Sequence, residues 1–252
     1  MSKIVLHIPH SSTNIPIRDG YVSNDFKIQE ELVRITDWYT DDLFNTEADD
    51  KVIAPFSRLF CDVERFTDDN LEVMSKFGMG VLYEKFDDGS LLREITPTLR
   101  KRILSEYYLE NHHKLSEKVE THFKNYNECL ILDCHSFPSI PLNRALNKDL
   151  NRPDFNIGTD SYHTPKHLIE LSIEYFNSLG YTLGVDYPYS GSIVPMEYYQ
   201  KNKRVSSIML EVNRRLYLNE PSNEKSLEYF KTKNVIQDYI QYIKSAFFKL
   251  YV

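Results

Sequence analysis

The chain has 252 residues, of which 41% are hydrophobic, 13% aromatic and 27% charged. This composition excludes an intrinsically disordered chain, because a solvated chain carries far fewer aromatic residues. The 30 Lys and Arg residues against 37 Asp and Glu residues leave a net charge of −7. An acidic chain of this kind is a poor match for nucleic acid or an anionic membrane, so we expect neither as a partner.

The cysteines and the N-terminal segment indicate where the protein works. The sequence contains no apolar span of about 20 residues and no signal-peptide pattern. Its three cysteines, Cys61, Cys129 and Cys134, are odd in number and form no CxxC motif. Unpaired cysteines are typical of a reducing compartment, so we expect a cytoplasmic protein.

The hydrophobic pattern predicts strands and helices that alternate along the chain. The predicted strands are 3–8, 51–55, 58–63, 80–83, 129–133 and 207–212, and the predicted helices are 25–45, 97–126, 164–180 and 226–250. Alternation of this kind predicts an α/β fold, here a single domain of residues 1–252 with a mainly parallel or mixed central sheet flanked by helices. The segment between Ser136 and Thr164 is long and polar, which is typical of a functional loop.

Ionisable residues stand at the ends of three predicted strands. His10 follows the first strand, Asp133 and His135 end the middle one, and Glu211 lies near the end of the last. In an open α/β sheet the ligand site lies beyond the carboxyl ends of the strands. We therefore expect these side chains to meet at one edge of the sheet.

Two histidines and one carboxylate at one edge are the ingredients of an open zinc site. Such a site uses three protein ligands and keeps its fourth position for water or substrate. The sequence supplies His10, His135 and Asp37, which lies on the predicted helix after the first strand, and it leaves Asp41 and Glu64 as alternative acidic ligands. Glu211 remains as the carboxylate that moves the proton of the attacking water.

Eight motifs resemble, in the same order, those of the N-formylglutamate amidohydrolases. They span residues 4–217, and eight motifs in register are specific even though none is decisive alone. The motifs are HIPHSSTNIP at 7–16, TDWYTDDLF at 36–44, SRLFCDVER at 57–65, HH at 112–113, DCHSFP at 133–138, RPDFNIGT at 152–159, DYPYSGS at 186–192 and LEVNRRLY at 210–217.

The resemblance implies a zinc-exopeptidase-like (phosphorylase/hydrolase-like) α/β fold and a zinc hydrolase with one Zn²⁺ per chain. The implied reaction is hydrolysis of a small N-acyl amino acid, such as N-formylglutamate, to formate and glutamate by zinc-activated water. His10, Asp37 and His135 resemble the three zinc ligands of the superfamily, and Glu211 resembles its catalytic glutamate.

The resemblance also implies residues that bind the substrate. The candidates are Arg58, Arg65 and Arg144 for its carboxylates, the pair Asn213 and Arg214, and His113. Guanidinium groups suit this task because they bind carboxylates through two parallel hydrogen bonds.

The sequence departs from the family pattern at two positions, and one is Ser12, where the family usually has the glycine of HSG. The family usually has DxNR where this chain has Asp62-Val63-Glu64-Arg65, so a carboxylate replaces an amide. We expect Glu64 to neutralise part of the charge of Arg65 and to change the choice of substrate.

Two other functions are compatible with these motifs. One is a different zinc hydrolase of the same superfamily, acting on a peptide or another acylated amine. The other is a metal-free binding protein on the same scaffold. A metal assay separates the binding protein from the hydrolases, and formate release from a panel of N-acyl amino acids separates the two hydrolases.

Overall fold

In the computed structural model, which describes residues 3–249, a six-stranded sheet lies at the centre. The strand order is β2-β1-β3-β6-β4-β5, with β2, β1, β3 and β6 mutually parallel and β4 antiparallel to β6. The predicted α/β fold with a mixed sheet is therefore confirmed. The strands are β1 (Val5–Ile8), β2 (Asp50–Ile53), β3 (Cys129–Phe137), β4 (Phe155–Gly158), β5 (Leu183–Val185) and β6 (Val205–Asn213).

Six helices flank this sheet within the described residues, and they are α1 (Asp25–Ile35), α2 (Thr40–Leu43), α3 (Pro97–Ile103), α4 (Leu109–Tyr126), α5 (Lys166–Ser178) and α6 (Tyr229–Lys249). A π-helical turn, Leu104–Tyr108, joins α3 to α4, so the predicted helix 97–126 is confirmed as one continuous rod. Two 3₁₀ turns, Val73–Phe77 and Arg214–Leu216, and a small hairpin of β7 (Leu218–Asn219) and β8 (Glu224–Lys225) complete the elements.

The alternation of side chains along β3 determines which layer covers each face of the sheet. Leu130, Leu132 and Cys134 point to one face and join the cluster formed with α2, α5 and α6. Cys129 and Ile131 point to the other face and pack against Leu115 and Val119 of α4. The next two residues on that second face, Asp133 and His135, are polar, so this is where the apolar core gives way to a polar site.

The predicted helix 25–45 is wrong as one element. The helix stops at Ile35, because the backbone of Thr36 is extended; the N–H of Thr36 still donates to the Leu32 carbonyl at 3.1 Å and forms the last hydrogen bond of the helix. The chain then turns through Tyr39, whose φ of 61° lies in the left-handed region, before α2 begins. Asp37 therefore lies in a turn rather than on a helix.

The predicted strands 58–63 and 80–83 are also wrong. Phe60, Val63 and Val81 are buried in one apolar cluster, but their backbones form turns, with a single isolated bridge between Met79 and Tyr83. A short apolar run shows that a segment is buried and does not show that it pairs with a neighbour. The long polar connection, by contrast, contains β4, which the hydrophobic pattern did not predict.

The last predicted helix, 226–250, corresponds to α6, and its predicted final residue, Leu250, lies outside the described residues. Cys61, Cys129 and Cys134 are buried and unpaired, as expected. Across residues 3–249, none of the helices combines the length and the apolar character that crossing a bilayer requires.

Candidate active site

A cavity of about 310 Å³ opens at the carboxyl ends of the central strands. This volume lies at the lower end of the range of small-molecule sites. Its wall is built from the turn after β1, the turn between α1 and α2, the segment 58–65, the ends of β3 and β6, and the segment 135–147. Eight predicted site residues line it, namely His10, Asp37, Arg58, Arg65, His135, Arg144, Glu211 and Arg214.

The ladder between β3 and β6 aligns two of these residues. His135 is paired in register with Glu211 on the neighbouring strand. Because β3 continues to Phe137, His135 lies within the strand and not after it as predicted. His10 follows the end of the next parallel strand, β1, by two residues, which places the three side chains at one sheet edge.

Asp37 is held against these histidines by the turn that separates α1 from α2. Its backbone N–H donates to the carbonyl of His10 at 3.0 Å. One carboxylate oxygen, Oδ1, accepts from Nη2 of Arg214 at 3.1 Å, and Oδ2 accepts from the N–H of Ser136 at 3.3 Å. Burial favours the neutral acid, but the nearby imidazoles of His10 and His135 and the charge of Arg214 outweigh it and lower the pKa of Asp37 far below its usual value.

Three ligand-type atoms converge in the cavity. Nδ1 of His10 and Nδ1 of His135 lie 3.3 Å apart. Oδ2 of Asp37 lies 3.3 Å from Nδ1 of His135 and 3.7 Å from Nδ1 of His10. Ligand atoms held about 2.0–2.1 Å from a tetrahedral zinc ion lie about 3.3–3.4 Å from one another, so the triangle has the size that such an ion needs.

The other ring nitrogen of each histidine faces a carboxylate. Nε2 of His10 is 2.9 Å from Oδ1 of Asp62, and Nε2 of His135 is 3.2 Å from Oδ1 of Asp133. When both rings are neutral and carry their protons on Nε2, these contacts are satisfied and both Nδ1 atoms have lone pairs available to a metal ion. Two lone pairs and a carboxylate oxygen then face one another in a buried space, an arrangement that a bound cation stabilises. The residues present therefore fit a zinc ion.

Asp62 is a functional residue whose role sequence reasoning missed. Its side chain is fully buried, and besides His10 it accepts hydrogen bonds from Arg58 at 2.9 Å and Tyr83 at 3.0 Å, while Nε of Arg65 lies 3.4 Å away. Burial opposes ionisation, but these cations keep the pKa of Asp62 well below its usual value. The spacing of Asp62 between two arginines, at i−4 and i+3, was the available signal.

Glu64 does not lie against Arg65 as expected. Its Oε1 is 3.2 Å from Nε2 of His135, and its Oε2 is 3.6 Å from Nε2 of His10. Burial lowers the pKa of His135, yet Glu64 and Asp133 together raise it well above its usual value. Glu64 thus faces the back of both imidazole rings, away from the Nδ1 triangle, and the other alternative ligand, Asp41, is exposed on α2.

Glu211 differs from every other carboxylate in the cavity wall. The residue is 7% exposed, and within residues 3–249 its buried Oε2 has no hydrogen-bond partner. Burial raises its pKa, and after the opposing effect of His135 and the added effect of Asp37 the value is about 7. A carboxyl group with this pKa exchanges its proton readily near neutral pH.

Two predicted substrate residues lie elsewhere. The side chain of His113 is 66% exposed on α4 and pairs with Glu117 at 3.3 Å. Asn213 is buried under the cavity floor, where its Nδ2 donates to the Pro153 carbonyl at 2.9 Å. The preceding histidine, His112, is the one that reaches the site region, since its Nε2 contacts the carbonyl of Val63 at 2.7 Å.

Comparison with known proteins agrees with this architecture. The chain resembles the crystal structure of N-formylglutamate amidohydrolase from Ralstonia eutropha JMP134, with a TM-score of 0.83 and 21% identity over 98% of this chain and 96% of that one. A gene product from Agrobacterium tumefaciens has a TM-score of 0.70 and 14% identity over 100% and 92% of the two chains. At these low sequence identities, structural similarity establishes the fold of the chain and nothing further. No curated protein matches the chain by sequence.

The fold and the cavity define the class of protein as an α/β protein with a small polar cavity at the carboxyl ends of its central strands. The family description of N-formylglutamate amidohydrolase matches residues 2–218. The chain belongs to the N-formylglutamate amidohydrolase family.

Proposed function

We propose that this protein hydrolyses the amide bond of a small N-acyl amino acid, such as N-formylglutamate, with the help of one zinc ion. The observation that carries the proposal is the triangle of His10 Nδ1, His135 Nδ1 and Asp37 Oδ2. It lies beside Glu211, whose Oε2 has no hydrogen-bond partner among residues 3–249. The unpaired, buried cysteines also support a reducing, cytoplasmic location.

His10, Asp37 and His135 would hold the zinc ion. A zinc ion held there would polarise the amide carbonyl and make a water molecule more acidic. Asp62 holds the ring of His10 through Nε2, Glu64 and Asp133 both lie 3.2 Å from Nε2 of His135, and Arg214 holds Asp37 through Oδ1. The three metal-binding side chains are therefore held in orientation before the zinc ion binds.

Glu211 is the group that moves the proton. The attacking water must lose a proton as its oxygen bonds to the amide carbon, and the nitrogen must gain one as the carbon–nitrogen bond breaks. Oε2 of Glu211 receives the first proton and delivers it to the departing amine. Its rigid position on β6 and its pKa of about 7 suit both halves of this transfer.

The substitution Glu211→Gln tests this role. It keeps the shape of the side chain and removes the proton acceptor, so we expect kcat for formate release from N-formyl-L-glutamate to fall by about 10²-fold or more. The variant should still fold and bind about one zinc ion per chain. Glu197→Gln, which changes an exposed glutamate, is the control and should retain normal activity.

Two results would reject the proposal. Normal turnover by folded, zinc-loaded E211Q would exclude Glu211 as the proton carrier. A wild-type protein that binds zinc but releases no formate and no other carboxylic acid from a panel of N-acyl amino acids would exclude the reaction.

A further inference from the structure

Arg144 differs from the other three arginines of the cavity wall. Arg58 and Arg65 pair with Asp62, and Arg214 pairs with Asp37. Within the part of the chain that the structure describes, Arg144 has no carboxylate at ion-pair distance, and its guanidinium contacts the carbonyl of Phe77. Its charge is therefore the one most available to an anionic ligand that enters the cavity.

The turn at residues 86–90 holds the backbone of Asn143 and Arg144. Asp87 lies in this turn, and its carboxylate accepts hydrogen bonds from the N–H of Asn143 to Oδ2 and from the N–H of Arg144 to Oδ1, both at 2.9 Å. Asp87 is 2% exposed, so these bonds are shielded from water. A buried carboxylate that binds two consecutive N–H groups holds that backbone firmly.

The same turn makes room for the Arg144 side chain. It is closed by hydrogen bonds from Phe86 N–H to the Ser90 carbonyl and from Gly89 N–H to the Phe86 carbonyl, at 3.0 and 2.9 Å. Gly89 has a φ of +89°, and a Cβ added there would lie 2.3 Å from Nη2 of Arg144. Glycine therefore suits the backbone conformation here, and any larger residue would displace the end of the Arg144 side chain from its present position.

The turn is itself tied to the helix that precedes Asp37. The N–H of Asp87 donates to Oε1 of Glu31 on α1 at 2.8 Å, and Glu31 is buried. A continuous chain of contacts thus runs from α1 through Asp87 to the backbone of Arg144. These contacts fix the position of Arg144 relative to α1, the helix that precedes Asp37.

We propose that Asp87 is a positioning residue that holds Arg144 in the cavity as the cation that receives a carboxylate of the substrate, with Gly89 leaving the space for its guanidinium. This inference rests on the proposed amide hydrolysis of an N-acyl amino acid. Asp87 does not line the cavity, so its effect on the substrate passes through Arg144.

The test compares Asp87→Asn with Asp88→Asn in the zinc-loaded full-length protein. Both remove one negative charge from the same turn, but Asp88 is half-exposed and bonds Lys27 and Ser90 instead of the 143–144 backbone. D87N places an amide –NH₂ group against one of these two backbone N–H groups, and two donors cannot form a hydrogen bond with each other. With N-formyl-L-glutamate as the probe, we expect D87N to raise KM about tenfold with little change in kcat, and D88N to leave both unchanged.

Arg144→Ala should raise KM about tenfold to a hundredfold, the value of a lost charged hydrogen bond. In the double variant D87N/R144A, KM should rise no further than in R144A alone, because both changes remove the same contact. An unchanged KM in R144A or in D87N would overturn the proposal. A further tenfold increase from D87N in the R144A background would also overturn it.

Amide hydrogen exchange gives a second readout that needs no catalysis. The N–H groups of Asn143 and Arg144 should exchange at least tenfold faster in D87N, and at the wild-type rate in D88N. If wild type hydrolysed no N-acyl amino acid, the proposed function would fail, and the exchange rates would still decide the role of Asp87. If the two N–H groups exchanged as slowly in D87N as in wild type, the positioning role of Asp87 would be rejected. If D87N does not fold, the same measurement is made on Asp87→Ala.

Discussion

Each of the two histidines of the cavity has a carboxylate close to its Nε2 atom. Asp62 bonds Nε2 of His10 across 52 residues, and Asp133 lies at 3.2 Å from Nε2 of His135 and at 2.8 Å from Nδ1 of His7. A carboxylate that binds the Nε2 proton of a histidine fixes the tautomer and makes Nδ1 a better metal ligand. Under the proposed function, Asp62 and Asp133 would therefore influence zinc binding without contacting the ion.

We predict that Asp62→Asn weakens zinc binding about tenfold to a hundredfold, the usual effect of losing such a partner. The matched control is Asp50→Asn, since Asp50 also accepts from a histidine, His122, at 3.1 Å, but at the edge strand β2, away from the cavity. Competition with a zinc chelator measures both affinities. Equal zinc affinities in D62N and wild type would contradict the assignment of the Nδ1 atoms as ligands.

Two carboxylates in the same cavity have pKa values shifted in opposite directions. Asp37 is surrounded by His10, His135 and Arg214, so its pKa is lowered. Glu211 is buried, and within residues 3–249 its Oε2 has no hydrogen-bond partner, so its pKa rises to about 7. An acid that stays ionised suits a metal ligand, and one that exchanges its proton suits general acid–base chemistry. The difference in environment therefore supports the different tasks that we propose for the two residues.

At the scale of elements, α6 contributes to the core although it lies beyond the residues that the family description matches. That match ends at residue 218, and α6 begins at Tyr229. Ile236, Ile240 and Ile243 on α6 are fully buried in the cluster that covers one face of β3 and β6. The helix is therefore needed to shield that face of the sheet from water.

We predict that Ile240→Ala lowers the free energy of unfolding by about 2–5 kcal/mol, because it removes buried methyl groups and leaves a cavity. Phe230→Ala is the control on the same helix, since Phe230 is 70% exposed, and its effect should stay within about 0.5 kcal/mol. Urea unfolding measures both values. Similar losses in the two variants would show that α6 does not contribute to the core as described.

At the scale of the whole molecule, the proposed zinc ligands connect three separate parts of the fold. His10 follows β1, Asp37 lies in the turn after α1, and His135 lies on β3. An ion bound by all three binds the folded state and not the unfolded chain. Its binding free energy is therefore added to the stability of the fold.

We predict that zinc at about 1,000 times its dissociation constant stabilises the protein by about 4 kcal/mol. A domain of this size gains about 2–4 °C in Tm for each kcal/mol, so Tm should rise by roughly 8–16 °C over the chelated protein. His135→Ala should lose most of this increase. A Tm that is the same in zinc and in chelator would show that the three residues do not bind the ion together.

The sequence by itself determined the alternation of helices and strands and the chemistry at the strand ends. Continuous apolar runs such as 129–133 predict buried strands, and His135 and Glu211 follow those runs directly, so their meeting at one edge could be predicted. These signals are local, because the spacing of apolar residues that identifies a strand or a helix can be read within a single short segment. The resemblance of eight motifs added the roles of the arginines.

Only the tertiary structure decided which side chains work together. The pairing of Asp62 with His10, the break of the helix before Asp37, the antiparallel insertion of β4 and the support of Arg144 by Asp87 all depend on contacts between segments distant in the chain. The local sequence of 58–63 resembles a strand because burial alone makes it apolar. Glu64, next to Arg65 in sequence, turns instead to the histidines, because the direction of a side chain in a turn is set by the packing around it.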